Sequence, residues 1–270
     1  MRKLLALALV TLMAVSVLTF ACAEETETGW QNILLLGGDS RGNSGYDRSD
    51  SMIIISINRD EARVKMTSIL RDTWVNFPGY SNPGKINAAT VYGGPKLAVA
   101  TVNDVFDMDI EDYVIINMNQ LTKIVDLLGG VEVEITSAEA VKLGLPAGVV
   151  HMDGEVALAY CRIRSIDSDA DRVLRQQNML IAMADKAQNM EVQELSALVN
   201  DIADIVKTSL DDQEMEDLAM AFMVMEPDEV EQFRIPADGT FRSGLYDGVW
   251  MITPNFELNI ELLHEFIYED

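Results

Sequence analysis

The apolar positions along this chain fall into two rhythms. Short continuous or β-branched runs at Asn32–Leu36, Met52–Ile57, Val64–Leu70 and Tyr113–Asn117 read as strands. The first ends at Gly37-Gly38, as a buried strand does when it opens into a loop. Met52–Ile57 and Val64–Leu70 are joined by the polar stretch Asn58-Arg59-Asp60-Glu61, which predicts a hairpin. Val131–Ile135 alternates apolar and acidic side chains, and Val230–Ile235 and Val249–Ile252 read as closing strands. Helical spacing takes over at Lys96–Val105, with Pro95 at its first turn, and at Leu121–Leu128, which stops at Gly129-Gly130. It returns at Asp153–Cys161 and at Arg172–Lys186, where Leu174, Met179, Ile181 and Ala182 are available to a core. Val192–Val206, Met215–Met223 and Glu257–Ile267 complete the series. Strands and helices alternate through most of the chain, which predicts a mixed sheet with helices on both faces in a single domain.

The N-terminus departs from both rhythms. Arg2 and Lys3 precede an apolar stretch from Leu4 to Phe20, and Ala21-Cys22-Ala23 then offers a small-residue cleavage site before Glu24-Glu25. This predicts an exported chain cut after Ala23, with residues 24–31 as a short polar tether and 32–270 as the folded domain. An uncleaved anchor ranks second, because the run meets the lower limit of about 17 residues for a membrane span. Lipid attachment at Cys22 ranks third, because Thr19-Phe20-Ala21 is a poor lipoprotein signal.

Composition narrows the partners. The chain carries 20 Lys and Arg against 44 Asp and Glu, a net charge of −24, and cleavage removes the two positive charges at Arg2 and Lys3. Nucleic acid and anionic membrane surfaces are poor partners for such a protein, and a transcriptional regulator is disfavoured by the acidity and the export signal together. Cleavage also leaves Cys161 as the sole cysteine, so no internal disulfide forms.

Against this acidic background six arginines fall into short clusters: Arg48, Arg71, Arg162 with Arg164, and Arg172 with Arg175. If the fold gathers them they make one positive pocket, whose natural occupant is a phosphate or pyrophosphate, since the planar guanidinium binds phosphate oxygens in pairs. The alternative is a set of surface bridges to neighbouring aspartates, each worth little. Arg172, Arg175 and Gln176 lie at helical offsets near a helix start, where backbone N–H groups also favour anions. Lys85, in a loop rich in Gly and Pro, offers a further point charge. Asp39 and Asp50 flank Gly42-Asn43-Ser44-Gly45 and could converge on one Mg²⁺ shared with substrate phosphate; their other reading is a turn residue and a strand-start cap. His151 and His264 stand far apart with no companion motif, and Cys161 reads as a small core residue.

Taken in order, these blocks resemble a known family. Asn32 to Arg41 followed by Arg48-Ser49-Asp50-Ser51-Met52, then Thr67 to Thr73, Lys85-Ile86-Asn87-Ala88-Ala89, Tyr92-Gly93-Gly94, Leu127 to Val133, Leu158 to Arg164, and Asp169 to Gln177 are similar to the LytR–CpsA–Psr domain. The resemblance implies an α/β/α sandwich enclosing a hydrophobic slot for a polyprenyl chain. It implies an extracytoplasmic phosphotransferase that moves an anionic glycopolymer, such as teichoic acid or capsule, from a polyprenyl-pyrophosphate carrier to peptidoglycan. The work is done at the outer face of the cytoplasmic membrane with Mg²⁺. On this basis Asp39 and Asp50 match the metal positions, and Arg71, Arg162, Arg164 and Arg175 the catalytic arginines. Arg48, Lys85, Arg172 and Gln176 match the substrate contacts. Asp72, Asp169 and Asp171 are the candidates for general base. Asp171 stands where the family usually has glycine, and the cleavage site stands where most members keep an anchor. A non-catalytic binder of polyprenyl-phosphate lipids or envelope glycopolymer is the second reading; the intact Asp39, Asp50 and arginine motifs speak for the transferase.

Overall fold

A computed structural model of the chain describes residues 29–38, 46–164, 169–211, 213–215, 218 and 226–269. The predicted leader and most of the predicted tether lie outside these residues. Among the described residues no helix is long and apolar enough to cross a membrane.

The centre is a six-stranded mixed sheet. β1 (Trp30–Gly38) pairs antiparallel with β2 (Ser49–Asn58), which pairs antiparallel with β3 (Arg63–Ile69), as the hairpin pattern predicts. β1 pairs in parallel with β6 (Asp112–Asn117), which carries the two-residue β9 (Lys207–Thr208) on its outer edge. The last edge is β10 (Glu231–Ile235), parallel to β3. The short β4 (Trp74–Val75) and β5 (Gly84–Lys85) pair beside the sheet.

The unbroken apolar runs follow from burial on both faces. Leu34, Leu36, Met52 and Ile54 face α1 (Ala89–Phe106) and α7 (Phe256–Tyr268), meeting Val99, Val102, Phe106, Leu263 and Ile267. Their neighbours Ile33, Ile53, Ile55 and Ile57 point the other way, against Leu180, Ile181 and Ala184 of α5 (Asp169–Gln188). A third cluster joins α5 to α2 (Met118–Leu127), α4 (Gly154–Cys161) and α6 (Val192–Ile205) and to the ribbon of β7 (Val131–Ile135) with β8 (Gly148–Met152). The architecture is the expected α/β/α sandwich.

Four expectations change. β1 starts at Trp30, buried to 5% exposure, so the tether ends before that residue rather than at Gln31. Lys65 explains the burial: its ammonium sits 4.9 Å over the Trp30 ring and donates to the Phe266 carbonyl at 2.7 Å, capping the end of α7. Val131–Ile135 is a strand but pairs only with β8, outside the central sheet. Val249–Ile252 extends to β12 (Val249–Pro254) and pairs with β11 (Phe241–Tyr246) in a separate ribbon. The helix α3 (Ser137–Leu143) was not expected; Thr136 and Glu139 form its capping box. Of the predicted helix Met215–Met223, Met215 and Leu218 are helical, and 216–217 and 219–223 lie outside the described residues.

Candidate active site

The carboxyl ends of β1, β3 and β6 and the start of β2 meet at one end of the sheet, since Gly38 pairs with both Ser49 and Asn117. This is the end at which open α/β sheets present ligand loops. The approach is tight: a Cβ on Gly37 would lie 2.8 Å from that of Ser51, so only glycine fits where the register shifts between Gly37 and Gly38. Asp39, the first predicted metal ligand, lies outside the described residues.

Asp50 is the hub. Its Oδ2 accepts from Arg71 Nη1 at 2.7 Å and lies 3.7 Å from Arg164 Nη2, while its Oδ1 accepts from Asn87 Nδ2 at 3.3 Å. Arg71 also approaches Asp72 at 4.0 Å, and Asp72 holds Lys85 Nζ at 2.7 Å. The loop that presents Arg71 and Asp72 is fixed by its backbone. Thr73 N–H and Oγ1 both donate to the Leu70 carbonyl, Asn87 N–H to Arg71 O, and Ile252 N–H to Asp72 O. Arg71, Asp72 and Lys85 are each about one-fifth exposed, so ligand oxygens can reach them. Arg164 is 61% exposed at the rim, and Arg48 is exposed two residues before Asp50.

Beside this network a pocket of ≈ 110 Å³ opens between the sheet and α2, α4 and α5. Its rim carries Asp50, Arg162, Arg164, Arg172 and Gln176. Its wall is apolar, with Ile53, Ile116, Leu121, Leu158, Met179 and Leu180. The wall is close-built: a Cβ on Gly154 would lie 2.2 Å from the Thr122 carbonyl, so glycine lets α4 lie directly on α2. Arg162 donates to the sulfur of Met118 at 3.3 Å, which turns its guanidinium along the rim.

Arg175 is not brought to this pocket, contrary to the expectation that it faces phosphate. Its side chain is 3% exposed; Nη1 donates to Glu139 Oε1 at 3.2 Å and Nη2 to the Ile163 carbonyl at 3.2 Å. The cause is helical geometry. At 100° per residue Gln176 stands about 40° from Arg172, whereas Arg175 stands about 60° to the other side. Arg172, Gln176, Met179 and Leu180 therefore share the pocket stripe, and Arg175 points toward α3. Arg175 instead ties down the carbonyl between Arg162 and Arg164.

Asp171 is partly buried in the first turn of α5. Asp72 is occupied by Lys85. His151 pairs with exposed Glu132, and His264 bonds the Phe106 carbonyl. Cys161 is a free thiol at the pocket wall, and burial pushes its pKa up to about 12, so it stays protonated. Sequence reasoning gave no role to Asn87 or Glu139. The Thr136-x-x-Glu139 spacing was the available signal for the latter.

The arrangement suits one kind of ligand: an amphiphile whose anionic head lies among guanidiniums and whose apolar tail runs along the wall. For Mg²⁺ the donor set fits only as a shared site. Among the described residues no group of three or more His, Cys, Asp or Glu converges, and Asp50 is the one carboxylate on the rim. A Mg²⁺ held there would draw its remaining ligands from substrate phosphate oxygens and water.

The chain is similar to known proteins. Residues 14–259 match the LytR_cpsA_psr family. Over 232 residues the chain is 33% identical to the polyisoprenyl-teichoic acid–peptidoglycan teichoic acid transferase TagU of Halalkalibacterium halodurans, covering 84% of this chain and 75% of that protein. Over 172 residues it is 37% identical to the corresponding transferase TagT of Bacillus subtilis, covering 59% and 53%. Among solved structures, TagT bound to LIIa-WTA superposes with a TM-score of 0.75 at 27% identity, over 91% of this chain and 93% of that one.

Proposed function

The chain belongs to the LytR–CpsA–Psr family, and from that premise we propose that it is a phosphotransferase of the cell envelope. It moves an anionic glycopolymer from a polyprenyl-pyrophosphate carrier to peptidoglycan at the outer face of the cytoplasmic membrane. The observation that carries this reading is the amphipathic pocket: an arginine rim continuous with an apolar wall, on a protein whose net charge is −24. A soluble phosphosugar has no use for the wall, and a neutral lipid has none for the rim. The relatives named as transferring teichoic acid from a polyisoprenyl carrier to peptidoglycan supply the substrate class.

The chemistry follows from where charge builds up. The polyprenyl tail lies along the wall and the pyrophosphate sits at the rim. A sugar hydroxyl of the acceptor attacks the phosphorus that bears the glycopolymer. The new O–P bond forms as the bond to the bridging oxygen breaks, polyprenyl phosphate leaves with the electron pair, and the hydroxyl proton passes to the departing phosphate or to solvent. Arg162, Arg164 and Arg172 hold the oxygens on which negative charge accumulates, and Gln176 orients them. Arg71 and Lys85 approach from the loop side, held in advance by Asp50 and Asp72, so little reorganisation is needed at the moment of reaction. Asp50 and Asp39 are the residues that would hold Mg²⁺, which when bound neutralises phosphate oxygens as a Lewis acid.

A transfer assay tests the reading. A polyprenyl-pyrophosphate-linked oligosaccharide and peptidoglycan fragments are incubated with the protein, and products are read by mass spectrometry. The expected result is phosphodiester-linked glycan on the fragments with release of polyprenyl monophosphate. Binding of the lipid without release would leave a non-catalytic carrier protein and overturn the proposal.

A further inference from the structure

Twelve residues of chain before Lys85 and ten after it carry no charge at all, from Thr73 to Gly84 and from Ile86 to Pro95. In so acidic a protein this leaves a neutral surface, and it is built of aromatic rings. Tyr80 and Tyr92 stack with centroids 5.9 Å apart and planes at 28°, yet they are 47% and 52% exposed. Both rings stand edge-on to the buried Phe77, at 6.4 Å and 5.3 Å, and the Tyr80 hydroxyl donates to the Tyr92 carbonyl at 2.9 Å. Val91 is 49% exposed beside them, and the Tyr46 ring lies over Gly94, where the helix is kinked. Two rings held this firmly and left half open are a preformed platform, because their ordering cost is already met in the fold.

Position gives the platform its use. Asn87, which donates to Asp50, stands five residues before Tyr92, roughly 8 Å along a helical rise. The apolar wall is built by β1, β2, β6, α2, α4 and α5, and none of its residues comes from the Tyr80–Tyr92 region. With the lipid tail on the wall and the pyrophosphate at Asp50, the saccharides lie on the side of Asn87. We propose that the Tyr80–Tyr92 ledge binds the sugar rings of the peptidoglycan acceptor strand, an inference that rests on the transferase reading. The apolar C–H faces of a pyranose stack on exposed tyrosine rings, and the absence of charge suits the acceptor's sugar backbone. A polyanionic glycopolymer would need a line of cations along its path, whereas the two segments hold none, Lys85 between them is held by Asp72, and Lys207 lies 5.3 Å over the Tyr46 ring.

The probe is a tetrasaccharide of alternating N-acetylglucosamine and N-acetylmuramic acid whose lactyl carboxyls are capped as simple amides and so carry no charge, titrated into the full protein by calorimetry and by NMR of the tyrosine rings. The expected result is that the ring signals of Tyr80 and Tyr92 shift on binding. Tyr80→Ala or Tyr92→Ala should weaken the affinity roughly tenfold, the size of one lost aromatic contact, while Tyr92→Phe retains it. Binding of a soluble polyprenyl-pyrophosphate analogue should be the same in all of these proteins. Ring signals that do not move, or equal tetrasaccharide affinity in the alanine variants, overturn the ledge. So does a loss in those variants of binding to phosphatidylcholine vesicles, which would make it a membrane contact, or of donor affinity alone. A parent protein that binds the tetrasaccharide through these rings but transfers nothing would remove the transferase reading and leave the ledge standing.

Discussion

Removing Arg175 should unfold the protein before it touches the chemistry. The side chains of Arg175 and Glu139 are 3% and 9% exposed, and they meet at 3.2 Å. Arg175→Ala leaves the Glu139 carboxylate buried without its cation, and breaking a buried pair in this way costs about 3–5 kcal/mol. The lower end applies here. Glu139 Oε2 keeps its contacts to Thr136 N–H at 2.8 Å and to Thr136 Oγ1 at 2.9 Å, so half of the carboxylate stays satisfied. The Ile163 carbonyl also loses a donor. A loss of about 3 kcal/mol in a domain of this size lowers the melting temperature by roughly 6–12 °C. Urea unfolding followed by circular dichroism measures the loss directly. A double-mutant cycle with Glu139→Gln isolates the pair: Arg175→Met on the Glu139→Gln background should cost well under half of what it costs on the parent. The same variants, assayed below their unfolding range, should bind a soluble polyprenyl-pyrophosphate analogue more weakly, because Ile163 lies between Arg162 and Arg164. An Arg175→Ala protein that unfolds at the parent's urea concentration, yet loses analogue binding, would refute this reasoning and return Arg175 to the phosphate.

Arg71→Ala and Arg162→Ala should each weaken that analogue by about 1.5–3 kcal/mol, one charge-assisted contact, with little change in urea midpoint; unaltered affinity in both would make these arginines surface bridges. Magnesium should bind mainly after the pyrophosphate, because Arg71 and Arg164, 2.7 and 3.7 Å from Asp50, repel a cation until phosphate oxygens neutralise them. Calorimetric titration with and without the analogue reads this, equal affinity refutes it, and Asp50→Asn should abolish the difference. Stability should fall in alkali, since burial raises the pKa of Cys161 from 9.0 to about 12 and burial, then Glu139, raises that of Tyr160 from 10.0 to about 12. The fold holds both groups protonated, so their contribution is whole below pH 9 and is lost as pH rises toward 12; a urea midpoint at pH 11 equal to that at pH 8 would contradict it.

What the sequence disclosed and what it withheld divide along a physical line. The central strands were legible because burial on both faces leaves no room for polar residues. Ile53, Ile55 and Ile57 serve one face while Met52 and Ile54 serve the other, and the run announces itself. The β11–β12 ribbon hid its first strand because Arg242, Ser243 and Gly244 carry no apolar alternation, and only Ile252 and Phe241 are anchored, against Leu70 and Val173. β7 is legible as a strand but its pairing with β8 is not, since alternation reports burial on one face and says nothing of the partner. At the site, motif spacing brought Asp50, Arg71, Lys85, Arg162, Arg164, Arg172 and Gln176 to one end of the sheet. It failed at Arg175, where an offset of three was treated as equivalent to an offset of four. Those offsets differ by 100° around the helix, enough to separate the pocket-lining Gln176 from Arg175, which turns to Glu139. The ledge was the hardest to see. Tyr80 and Tyr92 lie on either side of Lys85, and although Tyr92-Gly93-Gly94 is one of the family-like blocks nothing in the sequence pairs the two rings, which become a surface only when Phe77 sets both at once.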